Sequence, residues 1–263
     1  MITRLFTRGW ILTTLLVVIA AGVMVRLGIW QLDRLEQRRA LNARVSEQLD
    51  APPLDLNSAI MEYGENISEL GLEGMEYREI TVKGEYDFSQ EVFLRNQAYD
   101  GQIGVHLLTP LIISGSDKIV LVDRGWIPQE DAKATALEKY QEPGEVRIDG
   151  MIRASRTRPE LGRQTDPAFV SGERLDSFFV ANIDRIEQEM TYSLLPVYIL
   201  QSPNLGESGL PRRTELNITL TEGSHLGYAL QWFAFTAILV GGYPFFVKSR
   251  VDKKEGIQVT TGE

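Results

Sequence analysis

Two long apolar runs, one near each end of the chain, constrain its fold more than any other feature. They extend from Trp10 to Gly28 and from Leu226 to Val247. Each matches the roughly 17–25 residues a helix needs to cross a hydrocarbon layer about 30 Å thick. The stretch between them, Trp30 to Ser224, is soluble in character. The pattern predicts a short N-terminal segment (1–9), a transmembrane helix (10–29), a polar domain (30–224), a second transmembrane helix (225–247) and a tail (248–263).

Charge predicts which way the spans run. Arg4 and Arg8 precede the first run without an acidic residue, and Lys248, Arg250, Lys253 and Lys254 follow the second with only Asp252 and Glu255 among them. The positive-inside rule then places both termini in the cytoplasm and exports the middle domain, since long loops translocate largely regardless of charge. Residues 31–224 hold 33 Asp and Glu against 20 Lys and Arg. So acidic a domain is a poor nucleic-acid binder. A cleaved signal peptide is the rival reading of the first run, with Ile19-Ala20-Ala21-Gly22 as the small-residue site. The run continues past that site to Gly28, which favours an uncleaved anchor. The short N-terminus has no Arg- and Ser-rich leader, so a bacterial cell membrane is expected.

Composition excludes several functions. The chain has no cysteine, hence no disulfide, CxxC redox pair or thiolate metal site. Its two histidines, His106 and His225, cannot form a multi-histidine metal centre in one chain. No GxxxxGK[ST] loop, GxSxG elbow or HExxH motif is present. No nucleophile–base pair can be assembled, so an enzyme is not expected.

The first helix should continue beyond the membrane until Ala51-Pro52-Pro53 stops it. Gly64, Gly71 and Gly74 punctuate a linker. Strands are predicted at 77–83, 91–98, 105–113, 119–124, 145–153, 178–182 and 197–201, several alternating apolar and polar residues. One helix is predicted over Pro128–Tyr140 and a shorter one over Asp184–Met190, capped by Asp184. Residues 155–175 and 202–215 read as loops, and 251–263 as a frayed polar tail. The fold class is a membrane protein with two transmembrane helices framing a β-rich α+β extracytoplasmic domain.

A succession of short motifs runs along this frame. Trp30-Gln31-Leu32 and Arg34 mark the exit from the first span, followed by Tyr77-Arg78, Gly84, Tyr86 and Asp87. Leu108-Thr109-Pro110-Leu111 leads into Val122-Asp123-Arg124-Gly125-Trp126-Ile127-Pro128, and His225-xx-Tyr228-Ala229-xx-Trp232 starts the second span. In this order the motifs resemble the surfeit-locus-one family of cytochrome c oxidase assembly factors, over residues 28–247. The resemblance implies assembly of a haem–copper terminal oxidase, with the oxidase core subunit, the haem a synthesis machinery and membrane lipid as partners. It also implies haem a as a transiently held group, with His225 as its iron ligand; neutral imidazole is an ordinary axial ligand. His225, Tyr228, Trp232 and Phe235 fall on one helical stripe, a ligand above an aromatic wall. An interfacial aromatic belt has the same composition. A pair of asparagines is expected before this histidine, and here Gly223 and Ser224 stand there.

Arg26, Trp30 and Arg34 share a helix face. The guanidiniums of Arg26 and Arg34 suit a haem propionate or, more commonly, lipid phosphate. Trp30, Arg34, Arg124 and Trp126 are candidate partner-docking residues, since Trp and Arg are favoured at hot spots. The plainer reading of the 123–128 corner is a strand end with Trp126 in the core and Asp123 paired to Arg124 or to backbone. His106 reads as a buried or half-buried histidine. A haem-free scaffold that docks an oxidase intermediate is the alternative to a haem-binding assembly factor.

Overall fold

Residues 11–50 combine good helix formers with no proline, and they fold as one unbroken helix, α1 (Ile11–Asp50). Ala51-Pro52-Pro53 ends it, as expected. The computed structural model describes residues 9–158, 164–204, 206 and 209–260, with backbone alone at 134, 135 and 254–260. Arg4 and Arg8, and the side chain of Lys254, on which the charge argument partly rests, lie outside what is described. The chain divides into two compact units, Val45–Ile218 and the helical stretches on either side of it.

In the helical unit, α1 runs antiparallel to α5 (His225–Thr260), and contacts join the two between Trp10–Gln31 and His225–Phe246. Trp10 meets Phe246 edge to face, Thr14 Oγ1 lies 2.8 Å from the Tyr243 hydroxyl, and Gly28 packs under the Phe233 ring. At the far end Arg39 forms a bidentate pair with Glu222, while Arg38 and Asn42 donate to the Thr221 carbonyl. Each helix contains a stretch long and apolar enough to cross a membrane. Their outward residues are apolar and exposed, from Leu12 and Val18 on α1 to Ile238 and Phe245 on α5. The tail does not fray after 250: α5 continues to Thr260, with Lys253, Lys254 and Glu255 favouring helix and Gly256 the strongest opponent, at about 1 kcal/mol.

The second unit is built on a ring of strands. β1 (Leu54–Asp55) lies parallel beside β2 (Glu79–Tyr86). The others are β3 (Val92–Tyr99), β4 (Gln102–Ile113), β5 (Ile119–Pro128), β6 (Glu145–Ala154), β7 (Ser177–Phe178) and β8 (Val197–Gln201). β2 pairs with β6, β6 with β8, β8 with β5, β5 with β4, and β4 returns to β2. Only β5–β8 is parallel within this ring. The closed five-stranded barrel resembles the Greek-key barrel of OB folds. Closure rests on three residue pairs, Gly84–Tyr86 against Leu111–Ile113. A Cβ on Gly84 would collide with the Ile112 carbonyl, so glycine permits the strands to meet there.

Alternation sets the two faces of the barrel wall. Ile80 and Val82 of β2, Val120 and Val122 of β5, and Ile148 and Ile152 of β6 fill the interior. The predicted linker at 64–74 is instead a run of 3₁₀ turns following α2 (Leu56–Tyr63), and it contributes Ile67 and Leu72 to the same core. Asp55 caps α2 by accepting from the Ser58 N–H. On the outer face, Leu121 and Leu108 pack with Phe178 of β7 and with Ile183 and Ile186 of α4 (Ile183–Glu187).

Three further expected elements differ. The helix over 128–140 breaks into turns around α3 (Ala134–Leu137), because the Tyr140 hydroxyl and Lys139 both tie back to the Asp131 carboxylate. The strand predicted at 178–182 ends at Phe178, because the N–H groups of Phe179 and Val180 donate to Asp166. The cap of α4 is Asn182, not Asp184; its side chain accepts from the Arg185 N–H, and Asp184 occupies the first turn.

Candidate functional site

His225 begins α5 where the preceding chain turns at Gly223, whose φ is +69°. Its imidazole Nδ1 lies 2.8 Å from Oε1 of Gln31 on α1. An amide oxygen only accepts, so Nδ1 donates this bond, and in the neutral tautomer it selects, the Nε2 lone pair is left open. A histidine oriented this way through its other ring nitrogen is the usual arrangement for a metal-ligating imidazole. Tyr228, one turn along, is half exposed, and Trp232 meets Phe235 edge to face at 6.3 Å. The stripe expected from spacing is thus present. The histidine's partner Gln31 sits in the Trp30-Gln31-Leu32 motif, where its polarity among apolar neighbours is the signal.

Arg26, Trp30 and Arg34 share a face as predicted, but it is the exposed side of α1. Arg26 lies five residues from Gln31, about 140° around the helix at 100° per residue, so it points away from the His225 contact. Arg34 donates to Gln37.

The corner 123–128 adopts the plainer reading. Between His106–Trp126 and Leu108–Asp123 the β4–β5 register slips, leaving Arg124 and Gly125 opposite Leu107. Such a bulge re-aims a side chain. Gly125 has φ +115°, and a Cβ there would strike the carbonyl of Arg212. Trp126 is buried against Tyr99. Among the described residues Asp123 pairs with neither Arg124 nor any other arginine: one oxygen accepts from the Gly125 N–H, the other lies 2.8 Å from His106 Nδ1. Burial works against a charged His106, but the Asp123 carboxylate and their hydrogen bond outweigh it, so the imidazole pKa is raised.

Arg124 turns into the barrel and is fully buried. It contacts Glu91 and Glu142, each at 3.1 Å, and donates to the Tyr140 carbonyl. Its Nε has no hydrogen-bond partner; the guanidinium instead stacks on Tyr86 and Phe88, 4.8 and 5.1 Å from their ring centres. Glu91 also accepts from Thr109, and Arg213 bonds Glu142 at 2.6 Å. Burial raises the Glu91 pKa against the opposing pull of Thr109 and Arg124, and burial likewise raises Tyr86. With Arg124 and Trp126 enclosed, this corner offers a partner no surface from either side chain. Among the described residues no cluster of His, Asp or Glu forms a metal centre.

A model of the SURF1 family matches residues 18–237. The chain belongs to this family. The match takes in most of α1, the whole barrel and the His225 turn. The chain is 25% identical over 230 residues to a SURF1-like protein of Monosiga brevicollis, covering 83% of this chain and 81% of that one. It is 26% identical over 226 residues to Surfeit locus protein 1 of Homo sapiens, covering 80% and 69%. A bacterial relative, a SURF1-like protein of Rickettsia bellii, is 24% identical over 251 residues, covering 90% and 91%.

Proposed function

We propose that this SURF1-family chain is a membrane-anchored assembly factor for a haem–copper terminal oxidase, holding haem a as cargo and aiding its insertion into the oxidase core subunit. In this reading α1 and α5 cross a bacterial cell membrane, both termini are cytoplasmic, and the barrel domain stands outside. The observation that carries it is the Gln31–His225 hydrogen bond, which leaves Nε2 as the nitrogen presented for coordination. His225 would hold the iron and Tyr228 would flank the ring. Haem when bound supplies the redox centre that the oxidase, not this chain, uses. Trp30, Arg26 and Arg34 face outward, where lipid phosphate suits the two guanidiniums. The haem a synthesis machinery is the expected donor, and the chain itself has no catalytic step.

The test is a visible spectrum of the full chain purified from cells that also make haem a. The reading expects a Soret band. His225→Ala should remove most of the haem while leaving the amount of protein in the membrane unchanged. Gln31→Leu should weaken haem retention about 10–100-fold, the usual effect of losing an outer partner of a ligand. Full haem in the His225→Ala protein would overturn the reading and leave a haem-free scaffold that docks an oxidase intermediate. Deleting the gene should lower the haem content of the oxidase without abolishing it.

A further inference from the structure

On the outer face of the barrel, β3, β6 and β8 and the segments around Phe179 and Thr214 enclose a cavity of about 250 Å³. Four arginines line it: Arg95, Arg153, Arg156 and Arg158. Among the described residues the lining contains a single carboxylate, Asp123, and that group is engaged by His106 and the Gly125 N–H. Of the nearby acids, Glu76 is held between Arg153 and Arg156 at 3.3 and 3.4 Å, and Asp166 accepts from the backbone at Phe179 and Val180. Arg95 lies 4.9 Å over the Phe179 ring. Neither Arg95 nor Arg158 has a carboxylate partner among the described residues.

Arg153 and Arg156 share Glu76, but Arg95 and Arg158 bring two more guanidiniums to the same cavity, and an anion seated there would relieve their repulsion. His106 also lines the cavity, its imidazole oriented by Asp123. The remaining lining is mixed: Phe179, Leu200 and Leu216 are apolar, while Asn96, Gln164 and Thr214 are polar. The volume falls below the roughly 300–1,000 Å³ of pockets for drug-sized ligands, too small for a porphyrin. We propose that this cavity binds a small organic anion, its phosphate or carboxylate group held by Arg95, Arg158 and His106 and its short apolar body against Phe179 and Leu216. Forked guanidiniums suit either oxyanion. The site lies within the barrel unit and is independent of any haem at His225.

The chain's two histidines make the test direct. The full chain, labelled with ¹⁵N-histidine and held in a non-ionic maltoside detergent, gives two sets of ring signals, assigned with His225→Gln. Phenyl phosphate and benzoate are titrated separately against potassium chloride of matched ionic strength. The proposal expects a saturable shift of the His106 signals with a midpoint at or below about 1 mM for at least one of the two anions. The tighter anion identifies the oxyanion class. Arg95→Gln and Arg158→Gln, both at exposed positions, should each raise the midpoint about tenfold or more with an unchanged circular dichroism spectrum. Arg95→Lys, which keeps the charge and loses the fork, should fall between. Shifts that follow ionic strength alone, or midpoints unmoved in both glutamine variants, would overturn it.

Discussion

Replacing Arg124 with leucine should unfold the barrel domain more readily than any surface change, and more so at alkaline than at acidic pH. The native guanidinium is fully buried and neutralises Glu91, whose side chain is only 4% exposed. Leucine fills part of the space but leaves Glu91 with the Thr109 hydroxyl alone, and frees the Tyr140 carbonyl of its donor. Removing one partner of a buried pair typically costs about 3–5 kcal/mol. For a domain of this size that is a fall of roughly 10 °C in Tm. The pH dependence follows from Glu91. Its folded pKa already lies above the unfolded value, so its protonated form favours the native state below about pH 4.5 and this contribution is lost as pH rises through the folded value. Arg124 is one of the groups holding that pKa down, so its loss extends the decline to higher pH. Trp126 is the sole tryptophan of the barrel domain, and with Trp10, Trp30 and Trp232 changed to phenylalanine its fluorescence follows urea unfolding of that domain in detergent. The double variant Glu91→Leu/Arg124→Leu removes both charges and should recover more than half of the loss. A cost below about 1 kcal/mol for Arg124→Leu, or a double variant as unstable as the sum of the singles, would show that Glu91 does not depend on Arg124.

Alkaline phosphatase fused after Gly144 should be active and fused after Lys254 inactive; an inactive Gly144 fusion would reverse the proposed topology. A leucine at Gly28 drives its side chain into the Phe233 ring, where even a Cβ would come within 2.7 Å, and should loosen the α1–α5 pair by about 1–3 kcal/mol. Phe233→Ala should restore it, read as the yield of a crosslink between cysteines placed at positions 14 and 243. The raised His106 pKa makes its pairing with Asp123 stabilising below about pH 6.5 and progressively lost as pH rises through the folded value. His106→Asn should therefore be less stable than the parent at pH 6, with the gap closing as pH rises through the folded value, in the same fluorescence assay.

The two apolar helices were legible because each carries a signal some twenty residues long that no local contact can reverse. The long strands were equally plain from alternation, although β5 runs four residues past Arg124 because the bulge at Gly125 lets the ladder resume at Trp126. Ring closure was not legible: it depends on pairing between Gly84–Tyr86 and Leu111–Ile113, which no local period encodes. The 128–140 segment has helix-forming composition, and tertiary ties from Asp131 and Arg124 overrode it. At the candidate site His225 was visible as one of two histidines. Its partner lies 194 positions away and only the fold brings it near. Arg124 illustrates the opposite failure: an arginine beside a tryptophan suggests a surface hot spot, whereas the alternation that sends Val120 and Val122 into the barrel carries Arg124 inward too.

The order of the ring's strands along the chain has a consequence for biogenesis. β5 and β6 are each flanked in the finished barrel by β8, the last strand to be made. Until Val197–Gln201 arrives, both present open edges of unpaired backbone, which invite pairing with other chains. At about 5–20 residues per second, the roughly 120 residues from β2 to β8 take some 6–25 seconds to synthesise. Throughout that interval the domain is a curled but unsealed sheet. A ribosome that stalled, or a chain truncated, anywhere before residue 201 would leave an aggregation-prone fragment, and the second apolar helix follows the sealing strand by little more than twenty residues.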